Sequence, residues 1–195
     1  MKKIGIMGGS FDPPHKTHLK LAKVAYETLG LDEVFFIPAY ISALKANPHT
    51  ASFEDRLEML NIALQKFDYP FKVLDLEKER EGLSYSIDTL RELKKNYEKA
   101  DFYWIIGTDQ LLQLDKWHEI KNFSNYTKFA CFKRVGYDFD IPKNLPSNLE
   151  IIEIAFAQND DSSSSARLEL KNQRKNHDFI DENVLKYIEE NKLYS

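Results

Sequence analysis

Short apolar runs, each stopped by glycine or proline and each followed by a helical repeat, constrain this chain more than any other feature. Residues 3–7 carry Ile4 and Ile6 and run into Gly8-Gly9. Residues 33–37 read EVFFI and stop at Pro38, and residues 101–106 read DFYWII and stop at Gly107. Runs this short and this apolar suit strands covered on both faces. Further strands are expected at 71–76, 128–132 and 150–156. Between them, 17–29 carries Leu21, Ala22, Ala25 and Leu29 at helical spacing, with Gly30 as a stop. Ser52-x-x-Asp55 reads as a capping box, and Phe53, Leu57, Leu60, Leu64 and Phe67 then step by helical intervals. Helices are also expected over 86–97, 162–173 and 181–191. Such alternation predicts an α/β fold, a doubly wound parallel sheet with helices on both faces. Ligands of that architecture bind beyond the C-terminal strand ends, where the strand order reverses.

Length and charge narrow the function. A chain of 195 residues suits one domain over 1–195. Its formal net charge of −4 argues against a protein that coats nucleic acid. Cys131 is the sole cysteine, so there is no intrachain disulfide and no cysteine-based metal site. Met1-Lys2-Lys3 leads into only a few apolar residues, unlike a signal peptide, and no apolar run approaches the roughly 20 residues of a membrane span. The expectation is a soluble cytoplasmic protein with no membrane partner, and a homo-oligomer is left open.

Two loops carry more than a connector needs. GGSFDPPHKTH, residues 8–18, joins the first strand to the first helix. Gly8 and Gly9 allow backbone to approach a ligand closely. The loop feeds a helix start, where free N–H groups and the dipole favour an anion. His15 and His18, three apart, share a face if both lie in the first turn, and suit phosphate oxygens. A metal site would need a third ligand, which is not evident nearby. The spacing is neither Gly-x-Gly-x-x-Gly nor a Walker loop. The second loop, DSSSSAR at 161–167, offers hydroxyls ahead of a helix and Arg167 within its first turns, a capping sequence that can also hold phosphate.

GGSFDPPHKTH resembles the Gly-x-Phe-x-Pro-x-His-x-Gly-His signature of the nucleotidylyltransferase superfamily, and SSSSAR resembles its Ser-Ser-Thr-x-x-Arg signature. GLSYSIDTL (82–90), WIIGTDQLLQLDKWHEI (104–120) and FACFKRVGY (129–137) are similar to segments of bacterial nicotinate-nucleotide adenylyltransferases. The resemblance spans essentially the whole chain. It implies a Rossmann-like nucleotidylyltransferase that joins ATP to nicotinate mononucleotide, releasing pyrophosphate, in NAD biosynthesis. It further implies that Gly8, Gly9, Ser10 and Phe11 line the first phosphate loop, and that His15 and His18 are the catalytic contacts to ATP phosphates. Ser163, Ser164 and Arg167 would hold the leaving phosphates, with Lys45 and Gly107 also at the nucleotide and Asp109 at the nucleotide or Mg²⁺. Tyr85 and Ser86 would meet the nicotinate carboxylate, Trp117 would stack on the pyridine ring, and Lys133 and Arg134 would face the mononucleotide phosphate. Mg²⁺ would arrive with ATP, since no carboxylate cluster marks a protein site. Phosphopantetheine adenylyltransferases are the neighbouring alternative, and a non-catalytic nucleotide-binding module is another.

Five positions depart from the family pattern; Asp161 stands where an apolar residue is usual and Ala166 where isoleucine is common. Leu44 stands where a histidine is usual, Thr17 replaces the glycine between the two histidines, and Ser164 replaces threonine. Thr17 adds β-branched bulk beside the phosphate loop. The residues taken alone leave other readings open: Trp117 and Tyr85 also fit a packed core, and Arg134 a solvated charge.

Overall fold

A computed structural model of the chain describes residues 1–42, 50–80, 82–133, 139–156, 167, 170 and 179–194. Six parallel strands form the main sheet in the order β4-β2-β1-β6-β7-β8. They are β1 (Lys3–Gly9), β2 (Glu33–Pro38), β4 (Phe71–Val73), β6 (Asp101–Gly107), β7 (Thr127–Lys133) and β8 (Ile151–Ala155). The chain winds outward from β1 through β2 to β4, returns to β6 beside β1, and winds outward again. The order therefore reverses between β1 and β6, as the doubly wound expectation requires.

Side chains alternate across the sheet. Ile4, Ile6, Phe35, Phe102, Trp104, Ile106, Phe129 and Cys131 face one side. There they meet α4 (Ser86–Asn96) and two 3₁₀ turns, Leu114–Lys116 and Ile120–Asn125. Met7, Val34, Phe36, Tyr103, Ile105 and Phe132 face the other, against α1 (Lys16–Leu29) and α2 (Phe53–Leu64). A third apolar cluster joins Leu19 of α1 and Met59 and Ala63 of α2 to Val184 and Ile188 of α6 (Glu182–Glu190). Caps explain the helix limits. Ser52 Oγ accepts from Asp55 N at 3.0 Å at the start of α2, Asp181 caps α6, and Gly30 ends α1 at φ 59°.

Several elements differ from expectation. The expected strand 71–76 ends at Val73, and Leu76 opens a short helix, α3 (Leu76–Arg80). Its partner β2 ends at Pro38, which has no N–H to extend a ladder. The small two-stranded sheet of β3 (Ile41–Ser42) and β5 (Leu83–Ser84) has no signal in the sequence, because two-residue strands carry no period. Helix α2 stops at Leu64 rather than Phe67. Its buried line runs through Phe53, Arg56, Met59, Leu60 and Ala63, while Leu57 and Leu64 are only half-buried. The expected helix over 162–173 lies largely outside the described residues; Arg167 and Leu170 are helical.

Candidate active site

Strands β1 and β6 part at the switch point. Their ladder runs from Lys3–Asp101 to Ile6–Trp104, yet β1 continues to Gly9 and β6 to Gly107. Beyond Trp104 the strands no longer pair with each other, and in sheets of this kind the parted C-terminal ends bound a binding crevice. The expected glycine turn is thus the last stretch of a strand. Gly8 and Gly9 pair with Ile37 and Pro38. A Cβ on Gly8 would lie 2.8 Å from Trp104 Cζ2, so this position has no room for a side chain. The left-handed residue of the loop is Phe11, at φ 48° and 1% exposed. A buried phenylalanine held there is strained and persists because its surroundings over-determine it.

Those surroundings are polar and buried. Arg56, 1% exposed, donates from Nη1 to the carbonyls of Ser10 and Ala39, both at 2.8 Å. Asp12 accepts from the backbone N–H groups of Thr50 and Ala51 at 2.8 and 3.1 Å and from the Tyr194 hydroxyl at 2.8 Å. Burial lowers the pKa of Arg56, and the nearby Asp12 carboxylate works against that shift. Neither Asp12, Arg56 nor Tyr194 was expected at the site. The one clue was Arg56 itself, a basic residue three after Phe53 and four before Leu60, on the line that must be buried if α2 packs on the sheet.

Both histidines lie at the start of α1. His15 is its N-cap, in extended conformation, and the His15 N–H donates to His18 Nδ1 at 3.2 Å. With Nδ1 accepting, a neutral His18 carries its proton on Nε2, which is then the ring's donor. The two rings stack with centroids 3.7 Å apart, and the Phe11 ring meets His18 edge-on at 4.9 Å. His15 is buried and His18 half-buried, so His18 is the more accessible of the pair. Thr17 is buried and helical, so the position needs no glycine conformation.

Arg167 reaches this loop from the far end of the chain. Its Nη1 donates to the Asp12 carbonyl at 2.6 Å and lies 3.8 Å from Asp12 Oδ2. The residue expected from the second signature and the loop expected from the first are therefore neighbours.

The opposite wall is aromatic. Tyr85 is the N-cap of α4, Ser86 its first residue, and the Tyr85 ring lies 4.3 Å from the His118 ring. His118 was not expected; it neighbours Trp117 in a stretch read only for its tryptophan. Glu119 follows at φ 53°, pinned by Arg91 at 2.5 and 3.3 Å and by Asn122 at 2.6 Å. Trp117 is 8% exposed and meets Trp104, Phe123 and Phe129 edge-to-face at 5.7–6.1 Å. Its Nε1 is buried without a hydrogen-bond partner among the described residues. Trp104 thus touches both halves of the crevice, through Gly8 and through Trp117.

The remaining expected residues spread along the same sheet edge. Gly107 is the N-cap of α5 (Thr108–Leu111), with Asp109 in its first turn, and Lys133 ends β7 with an exposed side chain. Lys45, Leu44, Arg134, Ser163 and Ser164 lie outside the described residues. Burial pushes the Cys131 thiol up to about 12, which makes it a core residue and not a nucleophile. Among the described residues no three His, Cys, Asp or Glu side chains converge as a metal cage, and the Asp12 oxygens already accept three hydrogen bonds.

Residues 6–169 match the Cytidylyltransferase-like family. The nicotinate-nucleotide adenylyltransferase of Bacillus subtilis is 39% identical over 196 residues, spanning 100% of this chain and 99% of that protein. Among solved structures, the Plasmodium falciparum nicotinic acid mononucleotide adenylyltransferase complexed with NaAD superposes with a TM-score of 0.81 at 24% identity, covering 100% of this chain and 98% of that one. The same parasite protein complexed with APC gives a TM-score of 0.81 at 22% identity. These structural likenesses establish the shared Rossmann-like fold.

Proposed function

The chain belongs to the Cytidylyltransferase-like family, alongside nicotinate-nucleotide adenylyltransferases it matches along its whole length, and from that premise we propose that it transfers the adenylyl group of ATP to nicotinate mononucleotide. The products are nicotinate adenine dinucleotide and pyrophosphate, a step in NAD biosynthesis. One observation carries the reading: the parted ends of β1 and β6 bring a stacked histidine pair at a helix start and Arg167 to one side of a crevice, and aromatic side chains to the other.

A phosphate oxygen of nicotinate mononucleotide attacks the α-phosphorus of ATP in line. The new P–O bond forms as the bond from that phosphorus to the β-bridging oxygen breaks, and pyrophosphate leaves with the electron pair. The enzyme needs no covalent intermediate; it positions two anions and stabilises spread charge. In this reading Gly8, Gly9, Ser10 and Phe11 line the triphosphate. His18 Nε2 donates to phosphate oxygens, and His15 stacks behind it and sets its orientation. Arg167, with Ser163 and Ser164, holds the leaving phosphates, and Lys45 and Asp109 attend the nucleotide. Tyr85 and Ser86 meet the nicotinate carboxylate, where free N–H groups at the start of α4 favour an anion. Trp117 stacks on the pyridine ring, and Lys133 and Arg134 face the mononucleotide phosphate.

The described residues do not fit a protein cage for a divalent cation. Mg²⁺ in this reading would arrive already bound by triphosphate oxygens, neutralising part of their charge, and would need no dedicated protein cage. No described helix is long and apolar enough to cross a membrane. The proposed setting is the cytoplasm, with small anionic nucleotides as partners and no nucleic acid.

The test is turnover of purified protein with MgATP and nicotinate mononucleotide, nicotinamide mononucleotide or phosphopantetheine in parallel. Pyrophosphate release with the nicotinate substrate is expected to exceed the other two. No product above background overturns the enzymatic reading, and better turnover of either competitor overturns the substrate.

A further inference from the structure

Asp12 lies within the first phosphate loop, 3% exposed, and gathers partners from three other regions of the chain. The backbone N–H of Thr50 donates to Oδ2, that of Ala51 to Oδ1, and the Tyr194 hydroxyl donates to Oδ1. The Arg167 guanidinium sits on its other side, bonded at 2.6 Å to the Asp12 carbonyl and 3.8 Å from Oδ2. Tyr194 is itself 8% exposed and holds a left-handed backbone at φ 63°. Burial, reinforced by the Asp12 carboxylate, pushes the Tyr194 phenol far above its ordinary value, so it remains a donor across the working pH range.

We propose that Tyr194 is a positioning residue for ATP: by donating to Asp12 it sets how firmly that carboxylate holds the Arg167 guanidinium. The proposal rests on Arg167 as the ligand of the leaving phosphates. A carboxylate offers a limited set of acceptor directions, and each donor that occupies one spreads part of its charge. With the hydroxyl in place, Arg167 remains 3.8 Å from Oδ2, outside a close bidentate pairing. Without it, the less screened carboxylate in a buried setting attracts the guanidinium more strongly and competes with the triphosphate for it. Tyr194 touches no substrate in this scheme. Its effect should appear in ATP affinity and should vanish when the Arg167 side chain is gone.

Calorimetric titration of ATP into the full chain tests this with four proteins: the parent, Tyr194→Phe, Arg167→Ala and the double variant. Tyr194→Phe is expected to weaken ATP binding about three- to tenfold in the parent, and by less than about 1.5-fold in the Arg167→Ala background. Where Arg167→Ala binds too weakly to titrate, Arg167→Gln, which removes the charge that Asp12 would hold but keeps polar reach, closes the cycle with the same pair of expectations. Tyr194→Met also lacks the hydroxyl and must weaken binding comparably. An unchanged ATP affinity in Tyr194→Phe, an equal factor in both backgrounds, or an effect in only one of the two Tyr194 variants overturns the proposal. The functional reading fails separately: a parent that binds ATP but forms no dinucleotide from nicotinate mononucleotide leaves the cycle measurable.

Discussion

The two walls of the crevice are held in different ways. The wall proposed for the triphosphate, residues 8–18, is braced by buried charges. Arg56 grips two carbonyls and Asp12 collects donors from Thr50 and Ala51, just ahead of α2, and from Tyr194. The wall proposed for the pyridine ring is braced by rings: Tyr85 on His118, and Trp117 among Trp104, Phe123 and Phe129. The difference follows from the ligands each would face. A triphosphate needs donors and backbone held at fixed positions against strong electrostatic pull, which directional buried bonds supply. A flat aromatic ring needs a shaped, largely dry surface, which edge-to-face packing supplies.

Substitutions on each wall should therefore fail in different ways. The largest loss is expected from Asp12→Ala. It strands two backbone N–H groups, the Tyr194 hydroxyl and the charge of Arg56, at a cost of about 3–5 kcal/mol of folding stability, the scale of breaking a buried ion pair. Denaturant unfolding checks this, and a loss under about 1 kcal/mol would mean that the brace is not electrostatic. His18→Ala comes next. It should fold normally yet lose at least about 100-fold in kcat, the scale of one well-placed transition-state donor. Near-parent turnover would remove His18 from the chemistry.

Trp117→Phe separates core from ligand surface. The buried Nε1 has no partner among the described residues, so stability should fall by only about 1 kcal/mol, the area term alone. The Michaelis constant for nicotinate mononucleotide should nonetheless rise. An unchanged constant would leave Trp117 as a core residue only. The smallest effect is expected from His118→Ala. Losing one ring pair should raise the same constant about two- to tenfold with kcat nearly unchanged, and His118→Phe should restore it. If His118→Ala lowers kcat as well, His118 does more than position Tyr85.

The strand and helix alternation was legible because burial on both sheet faces and amphipathic helices impose strong periods. Residues 33–37 and 101–106 became β2 and β6 within a residue. The pairing of residues 8–18 with Arg167 was legible too, because the phosphate motifs use residue types with few other reasons to be together. Other features were hidden. The buried line of α2 passes through Arg56 and not Leu57, since a charge satisfied by two carbonyls can be buried in place of an apolar side chain. The close fit of Gly8 against Trp104 joins residues on different strands, which no local pattern records.

The sequence by itself determined the architecture, the switch-point loop and the histidine pair, since each depends on local periodicity or on a compact motif. Only the tertiary structure decided where Asp12, Tyr194 and His118 sit. Their partners lie far along the chain or on other elements, and hydrogen bonds and ring contacts between distant segments exist only once the sheet and its layers have closed around them.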